Sequence, residues 1–173
     1  RKTYERYCDP GRSYYSTFVS RCYYYAADRS GCGAQFAKIR KIWENRDIVV
    51  VEGERTHNGV GNDLLDTARS TERIICPPSD AYRVVPAILD ACTAYGKDRL
   101  FLLSVGVAAK FLAVKLFEQG YRVLDIGNLD MEYEWFVRRS SGKIKLEKHD
   151  CTSVAANRAA GYTAYLEQIK VRV

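Results

Sequence analysis

The sequence predicts one α/β domain, a Rossmann-like parallel sheet with helices on both faces. Short β-branched runs alternate with helical patterns of about three turns, which is the signature of strand–helix–strand units. Glycine or proline closes the runs where a strand hands the chain to a loop. A length of 173 residues suits one well-buried core and argues against a second full domain, so residues 1–173 are read as a single unit.

Taken in order, Phe36, Ile39, Ile42 and Trp43 fall at helical spacing, and the helix they mark closes over Lys38 to Asn45. Asp47-Ile-Val-Val-Val51 then reads as a buried strand. Gly59-Val-Gly61 is a loop, after which Asn62 or Asp63 stands where it would cap a helix through Leu64, Leu65 and Ala68. Arg73 to Cys76 is the next strand, closed by Pro77-Pro78. Ser79-Asp80 signals another cap, for a helix carrying Ile88, Leu89 and Cys92 that Gly96 ends. Leu100 to Val105 is a strand, Gly106 a turn, Ala108 to Gln119 a helix ended by Gly120, and Tyr121 to Ile126 a strand. Beyond Arg138 the signal weakens: Ser140-Ser141-Gly142 is a loop, Asp150 to Gly161 reads as helical, and Tyr162 to Val173 has no clear type. Parallel sheets bind ligands at the carboxyl ends of their strands. The expected rim is therefore Glu52 to Asp63, Gly106 to Ala109 and Gly127 to Glu134.

Composition narrows the partners. The net charge is +6 and the pI about 9.0, but bases alternate with acids along most of the chain. That balance suits a phosphorylated small molecule rather than nucleic acid. The most apolar stretch, Leu100 to Phe117, is broken by Lys110 and Lys115, short of the roughly 18 to 20 apolar residues a membrane span needs. The opening stretch Arg1 to Arg12 has no apolar run of a leader peptide. Six scattered cysteines (Cys8, Cys22, Cys32, Cys76, Cys92, Cys151) lack zinc or redox spacing and read as free thiols in a reducing cytosol. A cytoplasmic protein is the expectation.

Two segments could carry chemistry. Glu52-Gly-Glu-Arg-Thr-His-Asn-Gly-Val-Gly-Asn-Asp63 follows a buried strand, and glycines before a helix N-terminus let a diphosphate approach backbone N–H groups. A tight turn plus a cap explains the same residues, and the third glycine of a dinucleotide fingerprint is missing. The second segment, Leu124 to Trp135, holds four carboxylates, Asp125, Asp130, Glu132 and Glu134. Hard cations such as Mg²⁺ or Mn²⁺ take oxygen ligands. An extended Asp130-x-Glu132 would put both carboxylates on one side, whereas a helix would pair Asp130 with Glu134. An acidic first helical turn is the plainer alternative. His57 and His149 read as surface or structural groups, Tyr14, Tyr15, Tyr23, Tyr24 and Tyr25 as packing or a sugar-stacking platform, and Arg21 as a salt-bridge or phosphate partner.

Phe18-Val-Ser-Arg21, Ile42-Trp-Glu-Asn-Arg-Asp-Ile-Val-Val-Val-Glu-Gly53, Gly59-Val-Gly-Asn-Asp-Leu64, Arg73-Ile-Ile-Cys-Pro77 and Asp125-Ile-Gly-Asn-Leu-Asp-Met-Glu-Tyr-Glu-Trp-Phe136 resemble successive signatures of the GT-D glycosyltransferases. The resemblance covers Tyr15 to Lys148 and implies the GT-D fold. It also implies a UDP-sugar donor, a divalent metal, and an acceptor glycan on a bacterial surface adhesin or polysaccharide. The family's upstream Arg-x-Gly-Asp-Gly-Glu segment has no counterpart here, so the chain reads as the family's C-terminal portion. His57 stands where the family favours arginine, Gly106-Val-Ala-Ala109 where it favours Gly-Pro-Thr-Ala, and Asn128 where it favours histidine.

The combined expectation is metal-dependent hexosyl transfer from a UDP-sugar to a glycan or glycoprotein, with oligomeric state left open. Asp130, Glu132 and Glu52 are the candidate catalytic carboxylates, with Asp130 and Glu132 also the candidate metal ligands. Arg55, Gly59, Gly61, Asn62, Asp63 and Gly106 are the candidate nucleotide contacts. A non-catalytic nucleotide-binding module, or another Rossmann-like enzyme such as a dehydrogenase or methyltransferase, are the competing readings.

Overall fold

A computed structural model of the chain describes residues 6–14, 17–149 and 161–173; Tyr15, Cys151 and most of the helix expected over Asp150 to Gly161 lie outside them. A 3₁₀ turn (Thr17–Ser20) precedes α1 (Cys32–Arg40), β1 (Asp47–Gly53) and β2 (Ser70–Cys76). A second 3₁₀ turn (Ala81–Val84) leads into α2 (Val85–Thr93), followed by β3 (Leu100–Ser104), α3 (Ala108–Glu118), β4 (Arg122–Asp125) and α4 (Leu129–Val137). The untyped C-terminal stretch forms α5 (Tyr162–Gln168) and β5 (Ile169–Arg172). All pairings are parallel and the order is β4-β3-β1-β2-β5.

The β1 run is apolar without a break because it is central. It pairs with β2 from Asp47 opposite Ser70, and with β3 from Ile48 opposite Leu100. Alternate side chains point to opposite faces. Ile48 and Val50 join Leu100 and Leu102 against Phe36 and Ile39 of α1 and Leu129 and Tyr133 of α4. Val49 and Val51 join Phe101 and Leu103 against Ile88 and Cys92 of α2 and Leu112 and Leu116 of α3. Burying each such aliphatic contributes about 1.5–3 kcal/mol, so the two layers clamp the sheet from both sides.

Connection direction fixes which face each crossover uses. From β2 through β3 to β4 the chain moves one way across the sheet, with α2 and α3 on one face. From β1 to β2 it moves the other way, and Leu64 and Leu65 pack on the opposite face, as right-handed crossovers require. The reversal makes a crevice between the carboxyl ends of β1 and β3, where open α/β sheets bind ligands.

Two sequence expectations are corrected. Residues 54–69 hold no helix; they are a series of turns. Gly59 (φ +75°) and Gly61 (φ +76°) adopt left-handed backbone. Past them, single turns such as Asp66 N to Asp63 O and Ala68 N to Leu65 O do not extend into a helix, because other carbonyls are taken by the α1–β1 connector: Trp43 Nε1 donates to Leu64 O at 3.1 Å and Asn45 N to Thr67 O at 2.8 Å. Asp80 likewise makes no cap bond: it sits at φ 55° beside Arg83, and Pro86 starts α2 instead.

Candidate active site

The three expected rim segments meet at the carboxyl ends of β1, β3 and β4. They border a cleft of about 410 Å³, whose wall includes Arg55, Asn58, Ser104, Gly106, Lys110, Gly127 and His149. Gly106 (φ +59°) turns the chain from β3 into α3 at this wall. α3 starts there after Val107 and α4 starts there after Asn128, and neither N-terminus carries a side-chain cap. The first turns of two helices, with their dipoles, therefore face one cleft, although Ala109 N, Lys110 N and Leu129 N already donate to Gly106 O, Val107 O and Ile126 O. Arg21, Arg55 and Lys110 add positive charge; among the described residues the one carboxylate in the wall, Asp125, is paired with Lys110 at 2.5 Å.

Behind the cleft lies a buried polar network centred on Asp130, which is 0% exposed. Its Oδ1 accepts from Gly59 N (2.8 Å), Asn62 Nδ2 (2.9 Å) and Lys148 Nζ (3.0 Å), and His149 Nε2 lies 2.7 Å from Oδ2. Glu134, one turn on, accepts from Asn62 Nδ2 at 2.7 Å and pairs with Lys148 at 2.9 Å. Lys148 also donates to Val60 O at 2.8 Å. Burial alone would raise the Asp130 carboxyl, but the His149 hydrogen bond and the Lys148 charge outweigh it and hold the group at about 2. An ionised carboxylate only accepts, so His149 Nε2 donates to it, and in the neutral ring Nδ1 is the unprotonated nitrogen. Nδ1 has no hydrogen-bond partner among the described residues.

The other predicted carboxylates are anchors as well. Glu52, at the end of β1, accepts from Asn58 N (2.7 Å) and Asn58 Nδ2 (2.9 Å) and pairs with Arg73 (2.5 Å), fully buried. Glu132 accepts from Tyr23 N (3.0 Å) and Tyr24 N (2.7 Å), holding the tyrosine segment onto α4. The predicted nucleotide contacts divide. Arg55 and Gly106 line the cleft, whereas Gly59, Gly61, Asn62 and Asp63 line a different recess beside Arg73 and Tyr165. Asn62 is spent on Asp130 and Glu134, and Asp63 accepts from Tyr133 Oη and Arg40. His57, also buried, has its Nδ1 2.8 Å from Lys148 O.

The sequence profile described as "Glycosyltransferase GT-D fold" matches residues 1–154. The chain belongs to the GT-D glycosyltransferase family. The probable glycosyl transferase Gly of Streptococcus gordonii is 47% identical over 137 residues, spanning 79% of this chain and 20% of that protein. Glycosyltransferase GlyD of Streptococcus pneumoniae serotype 4 is 46% identical over 137 residues, 79% of this chain and 17% of its own length. A solved structure described as a new glycosyltransferase (DUF1792) from Streptococcus sanguinis superimposes with a TM-score of 0.88 at 38% identity, covering 99% of this chain and 65% of that one. A second, described as a highly conserved domain with a distinct glycosyltransferase fold, gives 0.86 at 32% identity, again over 99% and 65%. The chain thus spans a fifth or less of these curated relatives and about two thirds of the solved domains.

The divalent metal that the family resemblance implies does not fit the Asp130–Glu132 pair. Two residues apart on α4, they point to different neighbours, Asp130 to the glycine loop and Glu132 to Tyr23 and Tyr24. Every close partner of Asp130 is a donor or a cation, which leaves a metal no vacant oxygen. Among the described residues no group of three or more His, Cys, Asp or Glu side chains could hold an ion.

Lys148, His149 and Lys110 come together with the cleft and its network only through tertiary pairing; in sequence Lys148 drew no notice, His149 read as surface or structural, and Lys110 stood out only as a break in an apolar stretch. Gly59 offers a direct check on the loop geometry. A Cβ there would lie 2.8 Å from Leu65 Cδ1, in left-handed backbone. Gly59→Ala should cost about 1–2 kcal/mol of backbone strain plus about 1–3 kcal/mol of overpacking. Urea unfolding measures it, and a loss below about 0.5 kcal/mol would mean that the loop repacks freely.

Proposed function

We propose that this chain binds the UDP-sugar donor of a glycosyltransferase and carries the transfer of a hexose to a hydroxyl of a glycan or glycoprotein. The observation behind this reading is the convergence of two uncapped helix N-termini with Arg21, Arg55 and Lys110 on one cleft. That is the environment a diphosphate requires, since backbone N–H groups and charged donors act together on its oxygens. In the transfer, the acceptor oxygen forms a bond to the anomeric carbon as the bond from that carbon to the β-phosphate oxygen breaks. The electron pair leaves with UDP, whose growing charge the helix N-termini and cations stabilise. The acceptor proton passes to His149 Nδ1, with Asp130 holding the ring.

No step of this reading passes through a metal held by Asp130 and Glu132. We place the reaction in the cytoplasm. The free cysteines support that setting: burial pushes Cys22, Cys76 and Cys92 up to about 12, so they stay as thiols.

Calorimetric titration of UDP tests the donor assignment. Arg55→Ala and Lys110→Ala should each weaken UDP about tenfold or more, one charged hydrogen bond contributing about 1.5–3 kcal/mol. Arg138→Ala, outside the cleft wall, should leave affinity unchanged. Equal UDP affinity in all three variants and the parent would refute the donor cleft.

A further inference from the structure

A second cavity, of about 260 Å³, opens beside the cleft and shares Arg21, Asn128 and Met131 with it. Its own wall is different in kind: Tyr25, Trp135, Lys143 and Lys145. The Tyr25 ring is 48% exposed and stands nearly perpendicular to Phe18 (centroids 5.5 Å) and Tyr24 (4.9 Å), so its orientation is fixed by packing. Lys143 Nζ donates to Tyr25 Oη at 3.2 Å and lies 4.7 Å from the Tyr24 ring centre. At this wall Glu132 Oε2 is spent on Tyr23 and Tyr24 N–H, and the Trp135 N–H on Ile144 O. Among the described residues the polar groups left over are mostly donors: two ammonium groups, a guanidinium and the Asn128 NH₂, with Glu132 Oε1 and Asn128 Oδ1 as acceptors. An aromatic face fringed by donors suits a ring rich in oxygen acceptors.

We propose that this cavity is the acceptor-side subsite and takes a pyranose against Tyr25, its oxygens met by Lys143, Arg21 and Asn128. The proposal rests on the glycosyltransfer reading above, in which donor and acceptor must meet at a junction. Arg21, Asn128 and Met131 form that junction; of these two spaces Arg55 and Lys110 border only the cleft, and Tyr25, Lys143 and Lys145 only this cavity. A further recess of about 500 Å³ shares Arg21, Lys110, Asp125 and Gly127 with the cleft and continues its donor side.

The test is saturation-transfer NMR on the whole chain with saturating UDP, using methyl β-glucopyranoside and methyl β-N-acetylglucosaminide as probes. At least one should bind. Tyr25→Ala should reduce its signal fivefold or more, Lys143→Ala should reduce it severalfold, and Tyr25→Phe, which keeps the ring, should retain most of it. UDP affinity should stay within twofold in all three variants, which also reports an intact fold. Saccharide binding unaltered by Tyr25→Ala, or binding of UDP with neither probe, would overturn the subsite alone. UDP affinity falling together with saccharide binding would assign the cavity to the nucleotide and overturn it too. Failure of the unaltered chain to bind UDP would instead remove the glycosyltransfer reading and the subsite with it.

Discussion

Replacing Asp130 by alanine is expected to cost about 3–5 kcal/mol of stability, because it removes one of the two carboxylates that a buried cation pairs with and strands buried donors. Lys148 lies between Asp130 and Glu134 at 2.8 and 2.9 Å, with 7% of its side chain exposed. Gly59 N and Asn62 Nδ2 would lose their acceptor in the same step, releasing the glycine loop from α4. Urea unfolding gives the number. The double variant Asp130→Ala, Lys148→Met should show coupling, its loss differing from the sum of the two single losses, because the two groups touch in one network. The pH profile provides a second readout. The folded carboxyl is held at about 2, below its ordinary 3.8. Its contribution is therefore fully present above about pH 4 and is lost as pH falls towards 2, because protonation then favours the unfolded chain. The alanine variant should lack that acid-side decline. A loss of less than 1 kcal/mol with an unchanged acid limb would remove Asp130 from the role of anchor and return it to the acid–base chemistry expected of it from sequence.

The parts of this fold that could be read in advance are those whose environment is uniform. Ile48 to Val51 and Leu100 to Leu103 are buried on both faces of a parallel sheet, so the sequence shows uninterrupted apolar runs whatever surrounds them. The rim followed from parallel topology, and Gly59 N bonded to Asp130 places Glu52 and Asp130 at the same end of the sheet. The loop after β1 was not legible. Leu64, Leu65 and Ala68 have helical spacing, but Trp43, Asn45 and Arg46 take up the backbone groups that a helix would use, and those partners are distant in sequence. The acidic segment was half legible. Its two possible periodicities were both visible, and the helical one brings Asp130 together with Glu134 on Asn62 and Lys148, while Glu132 turns to Tyr23 and Tyr24. His149 gave no local signal at all, because a lone histidine acquires a role only from the carboxylate that folding sets beside it.

That carboxylate makes His149 the site of the second large effect. With Nε2 engaged by Asp130 and the ring at the cleft wall, Nδ1 is the basic atom available to an acceptor hydroxyl. Under the proposed mechanism, His149→Ala should lower transfer by about 10²–10⁴-fold, the usual contribution of a positioned general base. A structural role would also make the alanine variant inactive, by loosening Asp130 and the glycine loop, so alanine alone does not discriminate. His149→Gln does. A glutamine side-chain amide can still donate to Asp130 but has no nitrogen that takes a proton at neutral pH. Its melting temperature and UDP affinity should therefore approach those of the parent while turnover stays as low as in alanine. The measurements belong on the longest natural protein that contains this chain, with donor and acceptor concentrations varied separately, so that a fall in kcat is distinguished from a rise in KM. Restoration of turnover by glutamine would make His149 a positioning residue for Asp130 and move the proton acceptor elsewhere.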